Sequence, residues 1–238
     1  MNPKPTNPIF CAVDTVDLDQ AGDIARAVSG VVGGLKLGKE FMTANGPAGA
    51  AALVGESMPL FLDLKFHDIP NTVAGAVRAA AKAVRPFMLT IHSAGGPAMV
   101  RAAVAAAAEF GTARPLILGV TMLTSLDDDD LAAIGITESS DTYVQRMATL
   151  ARDCGVDGVI CSPREISDLR QQFGADFKLV VPGIRLAGAR SDDQKRVMTP
   201  ADALAAGADY LVIGRAITAA AAPAETAAAI AADLDAVA

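Results

Sequence analysis

The segment FLDLKFHDIPNT, at 61–72, carries the densest cluster of side chains that could do chemistry. Asp63 and Lys65 are two residues apart, so on a strand both side chains point to the same face. Asp68 follows three residues later, where the strand pattern has become a loop. Two carboxylates about 4 Å apart repel by about 4 kcal/mol at an effective dielectric near 20. Lys65 and Lys36 are the candidates to offset that repulsion, either in a catalytic site or in a structural salt-bridge network.

Eight short apolar runs recur along the chain with helical stretches between them. Their starts are mostly about 20 to 30 residues apart, which is the length of one βα unit. Near-continuous apolar runs are typical of parallel strands that helices cover on both faces. The predicted strands are residues 9–14, 34–38, 60–65, 87–92, 116–123, 158–162, 179–184 and 210–215.

Eight such units in 238 residues predict an α/β fold, a single (β/α)8 TIM barrel that forms one domain over residues 1–238. An open doubly wound sheet is the alternative. That fold usually has fewer strands and a glycine-rich turn after the first strand. Here the first strand leads into Asp14-Thr15-Val16-Asp17, without such a turn. The pattern therefore favours the barrel.

In such a barrel the active site lies at the C-terminal ends of the strands. Charged side chains inside apolar strands need partners there, because burying a lone ion is expensive. This placement favours catalysis over a salt-bridge network that only closes the barrel mouth. The polar residues predicted at this end are Asp14, Lys36, Asp63, Lys65, His92, Thr124, Arg185 and Arg215.

The segments VVPGIR and VIGRAIT, at the seventh and eighth strands, predict a phosphate site. Barrels of this kind commonly hold a phosphate in these loops, on backbone N–H groups and a helix N-terminus. Gly183 and Gly214 allow close backbone approach, and Arg185 and Arg215 offer charge-assisted hydrogen bonds. The alternative is ordinary glycine-containing loops with surface arginines.

Two longer connections separate the later strands. The acidic run Asp127 to Asp130 follows the fifth strand and is typical of a solvated helix start, where carboxylates favour the positive end of the dipole. A lid over the active site is the alternative interpretation. The connection at 185–200 is polar and basic at several points.

The overall charge and hydropathy limit the classes of partner. A net charge of −7 argues against a general nucleic-acid binder, although a local basic cluster can still bind a small anion. The N-terminal residues MNPKPTNPIF lack the apolar stretch of a signal peptide. The Ala-rich stretch 216–232 is too weakly hydrophobic for a membrane span. We therefore expect a cytoplasmic protein with neither nucleic-acid nor membrane partners.

The cysteines and histidines show no metal-ligand spacing. Cys11, Cys154 and Cys161 are interpreted as buried small hydrophobes in a reducing compartment. His67 lies in the charged cluster, where a packed or hydrogen-bonded role is favoured over a catalytic one. His92 ends the fourth strand, and neither histidine belongs to a motif such as H-E-x-x-H. No metal is expected.

The chain resembles the orotidine 5′-phosphate decarboxylases, which catalyse the last step of UMP biosynthesis, over nearly its whole length. The string D-x-K-F-H-D-I-P-N-T is the most specific part of the resemblance. One departure is HSAGG at 92–96, where the family often has His-Ala-Ser, away from the central chemistry. The segments that carry the resemblance are 12–14, 34–38, 61–72, 119–125, 180–185, 193–200 and 212–218.

The resemblance implies a cofactor-free carboxy-lyase in which Lys65 protonates carbon 6 of the pyrimidine through a carbanion-like intermediate. Lys36, Asp63, Lys65 and Asp68 would form an alternating charged array. In this family the residues matching Asp68 and Thr72 reach into the neighbouring subunit's site, which implies an obligate homodimer.

The resemblance also assigns the substrate contacts. Asp14 and Lys36 would bind the ribose, with Asp63 and Thr72 nearby, and Thr124 would contact the base. The residues implied for the phosphate are Arg185, Gln194, Gly214 and Arg215.

Two alternatives remain at this point. One is a metal-dependent sugar-phosphate lyase of the same barrel group, similar to a hexulose-phosphate synthase, which uses a related D-x-K-x-x-D cluster. The other is a non-catalytic barrel that binds a phosphate ligand. The FHDIPNT and DQKR segments favour the decarboxylase, and the paired lysines argue against a simple binder.

Overall fold

The computed structural model describes residues 2–184 and 198–235, and they contain eight parallel strands that close into a barrel in the order β1 to β8. Each strand pairs with its neighbours in the chain, and β8 closes on β1. The strands are β1 Ile9–Val13, β2 Gly34–Gly38, β3 Leu60–Phe66, β4 Met88–His92, β5 Leu116–Val120, β6 Gly158–Ile160, β7 Lys178–Pro182 and β8 Tyr210–Ile213. The predicted (β/α)8 barrel is confirmed.

The helices lie between the strands in the chain and cover the outside of the barrel. The described helices are α1 Leu18–Val28, α2 Lys39–Val54, α3 Pro70–Val84, α4 Gly96–Ala108, α5 Asp128–Ala133, α6 Ser140–Asp153, α7 Ile166–Phe173, α8 Pro200–Ala205, α9 Arg215–Thr218 and α10 Pro223–Asp235. None of the helices in the described part of the chain combines the length and apolar composition that a bilayer span needs.

Two apolar layers result from the alternation of side chains along the strands. Phe10 and Phe61 point into the barrel and pack edge to face, with ring centroids 6.1 Å apart. Leu35 and Leu62 point outward and are buried under the helices. Asp63, two residues after Phe61, is therefore directed into the barrel at the C-terminal end of β3.

The fifth strand is shorter than predicted, because it ends at Val120 and not at residue 123. The apolar residues that extended the predicted strand have other partners. Met122 packs against a separate small core around Leu131 and Tyr143. Leu123 is 38% exposed and lines the cavity described below. The apolar run thus continues past the end of the sheet.

The acidic run begins a helix, as its composition indicated. Asp127 is the N-cap of α5, and its side chain accepts a hydrogen bond from the Asp130 N–H. The Asp130 carboxylate accepts one from the Asp127 N–H in return, which completes a capping box. The helix-start interpretation of the run is confirmed.

Candidate active site

A cavity of about 350 Å³ opens at the C-terminal ends of the strands. Its walls combine apolar residues from inside the barrel with charged groups on the strand ends and following loops. The cavity brings together most of the residues that the sequence predicted for the site: Asp14, Lys36, Asp63, Lys65, Thr124, Gly183, Gly214 and Arg215.

Asp63 lies at the centre of the charged side chains in this cavity. The Lys65 Nζ is 2.7 Å from both carboxylate oxygens of Asp63. The Lys36 Nζ is 3.2 Å from Asp63 Oδ2 and 3.6 Å from Asp14 Oδ1. Acidic and basic groups therefore alternate from Asp14 through Lys36 and Asp63 to Lys65.

The ionised state of Asp63 depends on these neighbours. Burial by itself raises the pKa of this carboxyl, whose residue is only 6% exposed. The positive charges of Lys36 and Lys65, with hydrogen bonds from Lys65 and Thr90, outweigh burial and leave the pKa below its usual value. Asp63 is thus a buried, charged carboxylate at neutral pH.

The backbone of Lys65 has an unusual conformation. Its φ is +53°, in the left-handed region that residues other than glycine rarely adopt. The pairing of β3 with β4 shifts at the same place, from Leu62↔Leu89 to Phe66↔Ile91. Local strain of this kind concentrates at functional sites, where the surrounding structure holds it in place.

Thr90 on β4 completes the network, although it is not among the site residues predicted from the sequence. Its hydroxyl lies 2.9 Å from the Lys65 backbone N and 2.9 Å from Asp63 Oδ1. The available signal was a hydroxyl in the otherwise apolar run FMLTI that precedes His92. That signal alone does not identify its partners, because they lie on another strand.

Asp68 and Thr72 lie outside the cavity lining and are exposed on the same rim of the barrel. Asp68 Oδ1 accepts a hydrogen bond from the backbone N–H of Ile69, a local contact. A single chain therefore does not bring Asp68 into the network around Lys65.

The predicted phosphate loops contribute Gly183, Gly214 and Arg215 to one side of the cavity. Gly183 has a φ of +81°, which a residue with a side chain adopts only with strain. Arg215 begins α9, directly after β8. The other two residues predicted for the phosphate, Arg185 and Gln194, lie outside the described residues.

The comparisons with known proteins agree with this geometry. The family model described as "Orotidine 5'-phosphate decarboxylase / HUMPS family" matches residues 7–230. The chain belongs to this family. The resemblance found in the sequence is thereby confirmed.

Named relatives in this family are similar along almost the whole chain. The orotidine 5′-phosphate decarboxylase of Paramagnetospirillum magneticum is 51% identical over 232 residues, which cover 96% of this chain and 98% of that protein. The Rhodospirillum rubrum enzyme of the same name is 49% identical over 233 residues, 96% of this chain and 94% of that protein.

Solved structures of the family share the fold. The Lactobacillus acidophilus orotidine 5′-phosphate decarboxylase superposes with a TM-score of 0.86 at 33% identity, covering 96% of this chain and 99% of that one. The decarboxylase of the same name from Pyrococcus horikoshii gives a TM-score of 0.77 at 26% identity, covering 95% and 99%. Both are consistent with a single barrel that carries the site.

The two histidines pack against each other near the charged side chains around Asp63. The ring centroids of His67 and His92 are 5.1 Å apart. Burial, followed by electrostatic interactions with His67, Lys39 and Lys65, lowers the pKa of His92 to about 4. His92 is therefore neutral at physiological pH.

The cysteines are free and buried, as the sequence indicated. Burial and then the charge of Asp14 raise the pKa of Cys11 to about 12. Burial also raises the pKa of Cys161 well above its ordinary value. Within residues 2–184 and 198–235, no three His, Cys, Asp or Glu side chains are grouped as a metal site.

Proposed function

We propose that this protein decarboxylates orotidine 5′-phosphate to UMP and CO2 in de novo pyrimidine biosynthesis, with Lys65 as the proton donor. The observation that carries the proposal is the Lys65 ammonium, held 2.7 Å from both oxygens of buried Asp63 inside an open cavity. Membership of the decarboxylase family and the named relatives support the same reaction.

The reaction places negative charge on a carbon atom. When the bond between carbon 6 and the carboxylate breaks, CO2 departs and the electron pair stays on carbon 6. A positioned ammonium stabilises that charge as it develops. Lys65 then transfers a proton to carbon 6 and recovers one from solvent, which completes UMP and restores the lysine.

Asp63 acts on the substrate before the bond breaks. Its carboxylate is ionised, and we assign it a position next to the departing carboxylate of the substrate. Like charges at short distance raise the free energy of the bound ground state. That repulsion falls as neutral CO2 forms, so the interaction favours the transition state over the ground state.

The remaining cavity residues bind parts of the substrate that do not react. Asp14 and Lys36 are assigned to the ribose hydroxyls, and Thr124 to the pyrimidine base. Gly214 and Arg215 are assigned to the phosphate, together with Arg185 and Gln194 in the connection after β7. Binding energy from the phosphate can be used to orient the reacting carbon and to close a loop over it.

The site is completed by a second copy of the chain in this proposal. Asp68 and Thr72 are exposed on the rim and lie outside the cavity of their own chain. Ile69, between them, is 67% exposed and offers an apolar side chain on the same rim. A homodimer would cover Ile69 and bring Asp68 and Thr72 to the partner's cavity.

A cytoplasmic location belongs to the same proposal. All three cysteines are free, which is typical of proteins from reducing compartments. The substrate is a small molecule, and the acidic net charge of −7 argues against nucleic acid as a partner.

An ultraviolet assay with orotidine 5′-phosphate in a strong chelator tests the proposed reaction. We expect substrate absorbance to fall at the same rate with and without chelator, and UMP to appear. A metal-dependent lyase of the same barrel group would lose its activity in chelator. A purified, folded protein that leaves the substrate unchanged would refute the proposal.

A further inference from the structure

Thr90 is a fully buried residue of β4 that contacts both members of the Asp63–Lys65 pair. Its Oγ1 accepts a hydrogen bond from the Lys65 backbone N–H at 2.9 Å and donates one to Asp63 Oδ1 at 2.9 Å. An amide N–H can only donate and a carboxylate can only accept, so the hydroxyl proton must point at Asp63. One hydroxyl thus connects the backbone of the proton donor to the carboxylate that holds its ammonium.

The conformation of Lys65 explains why such a connection matters. With φ at +53°, Lys65 lies in a region where an L residue is disfavoured, so a relaxed strand would turn its side chain elsewhere. Between Leu62 and Phe66, β3 advances four residues while β4 advances two, from Leu89 to Ile91. Thr90 is the β4 residue opposite this irregularity, and its hydroxyl provides an acceptor for the Lys65 N–H.

We propose that Thr90 is a positioning residue for the decarboxylation, which keeps Lys65 in its left-handed conformation and its ammonium on Asp63. The inference rests on the proposed function of Lys65. Thr90 lies outside the cavity lining, so it acts through Lys65 and not by contact with substrate. Its loss is expected to lower kcat and to leave KM nearly unchanged.

Two substitutions in the full-length chain separate the hydroxyl from the packing. Thr90→Val keeps the branched shape and removes the hydroxyl, whereas Thr90→Ser keeps the hydroxyl and removes the methyl group. An unpaired buried N–H destabilises the arrangement enough for Thr90→Val to lose about tenfold or more in kcat, with KM within about twofold. Thr90→Ser should stay within about threefold of wild-type kcat, although it is the variant that leaves a small void.

The pH profile gives a second readout that packing alone would not change. The Thr90 hydrogen bond is one of the interactions that lower the pKa of Asp63. Its removal in Thr90→Val is expected to shift the acidic limb of the kcat profile to higher pH. Thr90→Ser should keep the wild-type profile.

The outcomes distinguish this inference from the proposed function. Wild-type kcat and pH profile in Thr90→Val would overturn it, as would equal losses in the Val and Ser variants. If Thr90→Val does not fold, Thr90→Cys replaces it. Because its S–H group is only a weak donor, Thr90→Cys should have a kcat between that of Thr90→Ser and that of the inactive control Lys65→Ala. Wild-type kcat in Thr90→Cys would again overturn the role. An inactive wild-type chain would refute the proposed function instead.

Discussion

The two ends of the barrel both hold paired carboxylates, but those at the N-terminal end each have an arginine partner, whereas Asp63 at the C-terminal end has two lysines. At the N-terminal end, Asp209 precedes β8 and accepts a hydrogen bond from the Leu179 backbone N–H at 2.9 Å. It also pairs with the guanidinium of Arg170 and, at 2.9 Å, with Lys178. Arg170 donates further hydrogen bonds to the backbone carbonyls of this region, among them Gly207 O at 3.0 Å.

Asp157, which precedes β6, repeats this arrangement at the same end. Its carboxylate accepts a hydrogen bond from the Ile117 N–H at 2.8 Å and pairs with Arg114. Its own backbone N–H donates to the Ile117 carbonyl at 2.9 Å, just as Asp209 N–H donates to Leu179 O at 2.9 Å. Each of these aspartates fixes the start of the preceding strand.

Each N-terminal aspartate pairs with an arginine, and Asp209 pairs with Lys178 as well. Asp63 at the C-terminal end pairs with two lysines. A guanidinium offers a planar set of donors that stays protonated at all physiological pH, which suits a fixed structural contact. An ammonium is a compact charge that can release its proton, and Lys36 and Lys65 both line an open cavity. The contrast agrees with the proposed function, in which the lysines that line the cavity act on substrate while the arginine pairs hold the strands.

The largest effect is predicted for replacing Lys65, at the C-terminal end, with the cation type that holds the N-terminal end. Lys65→Arg keeps the positive charge beside Asp63 but replaces a proton donor with a group that retains its proton. We expect kcat to fall on the order of 10³-fold or more, and Lys65→Ala to fall at least as far, with both variants folded. Steady-state kinetics with orotidine 5′-phosphate measure the loss. An arginine variant within about tenfold of wild type would show that charge alone is enough.

The next prediction tests whether the site at the C-terminal end needs Asp68 from a second chain. Mixing Lys65→Ala and Asp68→Ala chains should create hybrid dimers in which one site has both residues intact and the other has neither. Random pairing makes half of the dimers hybrid, so about a quarter of wild-type activity should return. The mixture is assayed after subunit exchange, with each variant alone as the control. If proven heterodimers recover no activity, Asp68 acts within its own chain.

The smallest effect is expected at the N-terminal end, on stability and not on catalysis. Asp209→Asn leaves the partly buried Arg170 with a weaker partner, so the free energy of unfolding should fall by about 2 kcal/mol. The kcat of the folded variant should remain at the wild-type value. Urea unfolding and steady-state kinetics measure the two quantities.

Asp153→Asn is the matched control, because its pair with Arg152 has both side chains about half exposed. Exposed pairs contribute little, so this variant should change stability by less than about 0.5 kcal/mol. An Asp209→Asn variant with wild-type stability and reduced kcat would contradict the assignment of stability to the N-terminal end and catalysis to the C-terminal end.

The fold was largely predictable because its signals are local. Alternation with a period of two placed Asp63 and Lys65 on one face, and the apolar runs located all eight strands. The end of the fifth strand was misjudged, because Met122 and Leu123 are apolar for reasons other than strand pairing. Local periodicity does not distinguish apolar residues that pair in a strand from apolar residues that pack in a separate core just after it.

The features that escaped prediction depend on contacts between distant parts of the chain. Thr90 meets Lys65 only because the register of two strands shifts, and a register shift has no local signature here. Arg114 and Asp157 are 43 residues apart, and nothing in either segment indicates the other. The proposed role of Asp68 in a partner's site came from the family resemblance alone, because the contacts within one subunit do not indicate it.

The most direct test of the account compares the wild-type chain with Lys65→Ala in one assay, with orotidine 5′-phosphate as substrate and chelator present. UMP and CO2 are measured together, and the fold of each protein is checked by its unfolding curve. We predict that the wild type forms UMP and CO2 in equal amounts and that folded Lys65→Ala forms almost none. Turnover by Lys65→Ala at the wild-type rate would contradict the assignment of Lys65 as the proton donor.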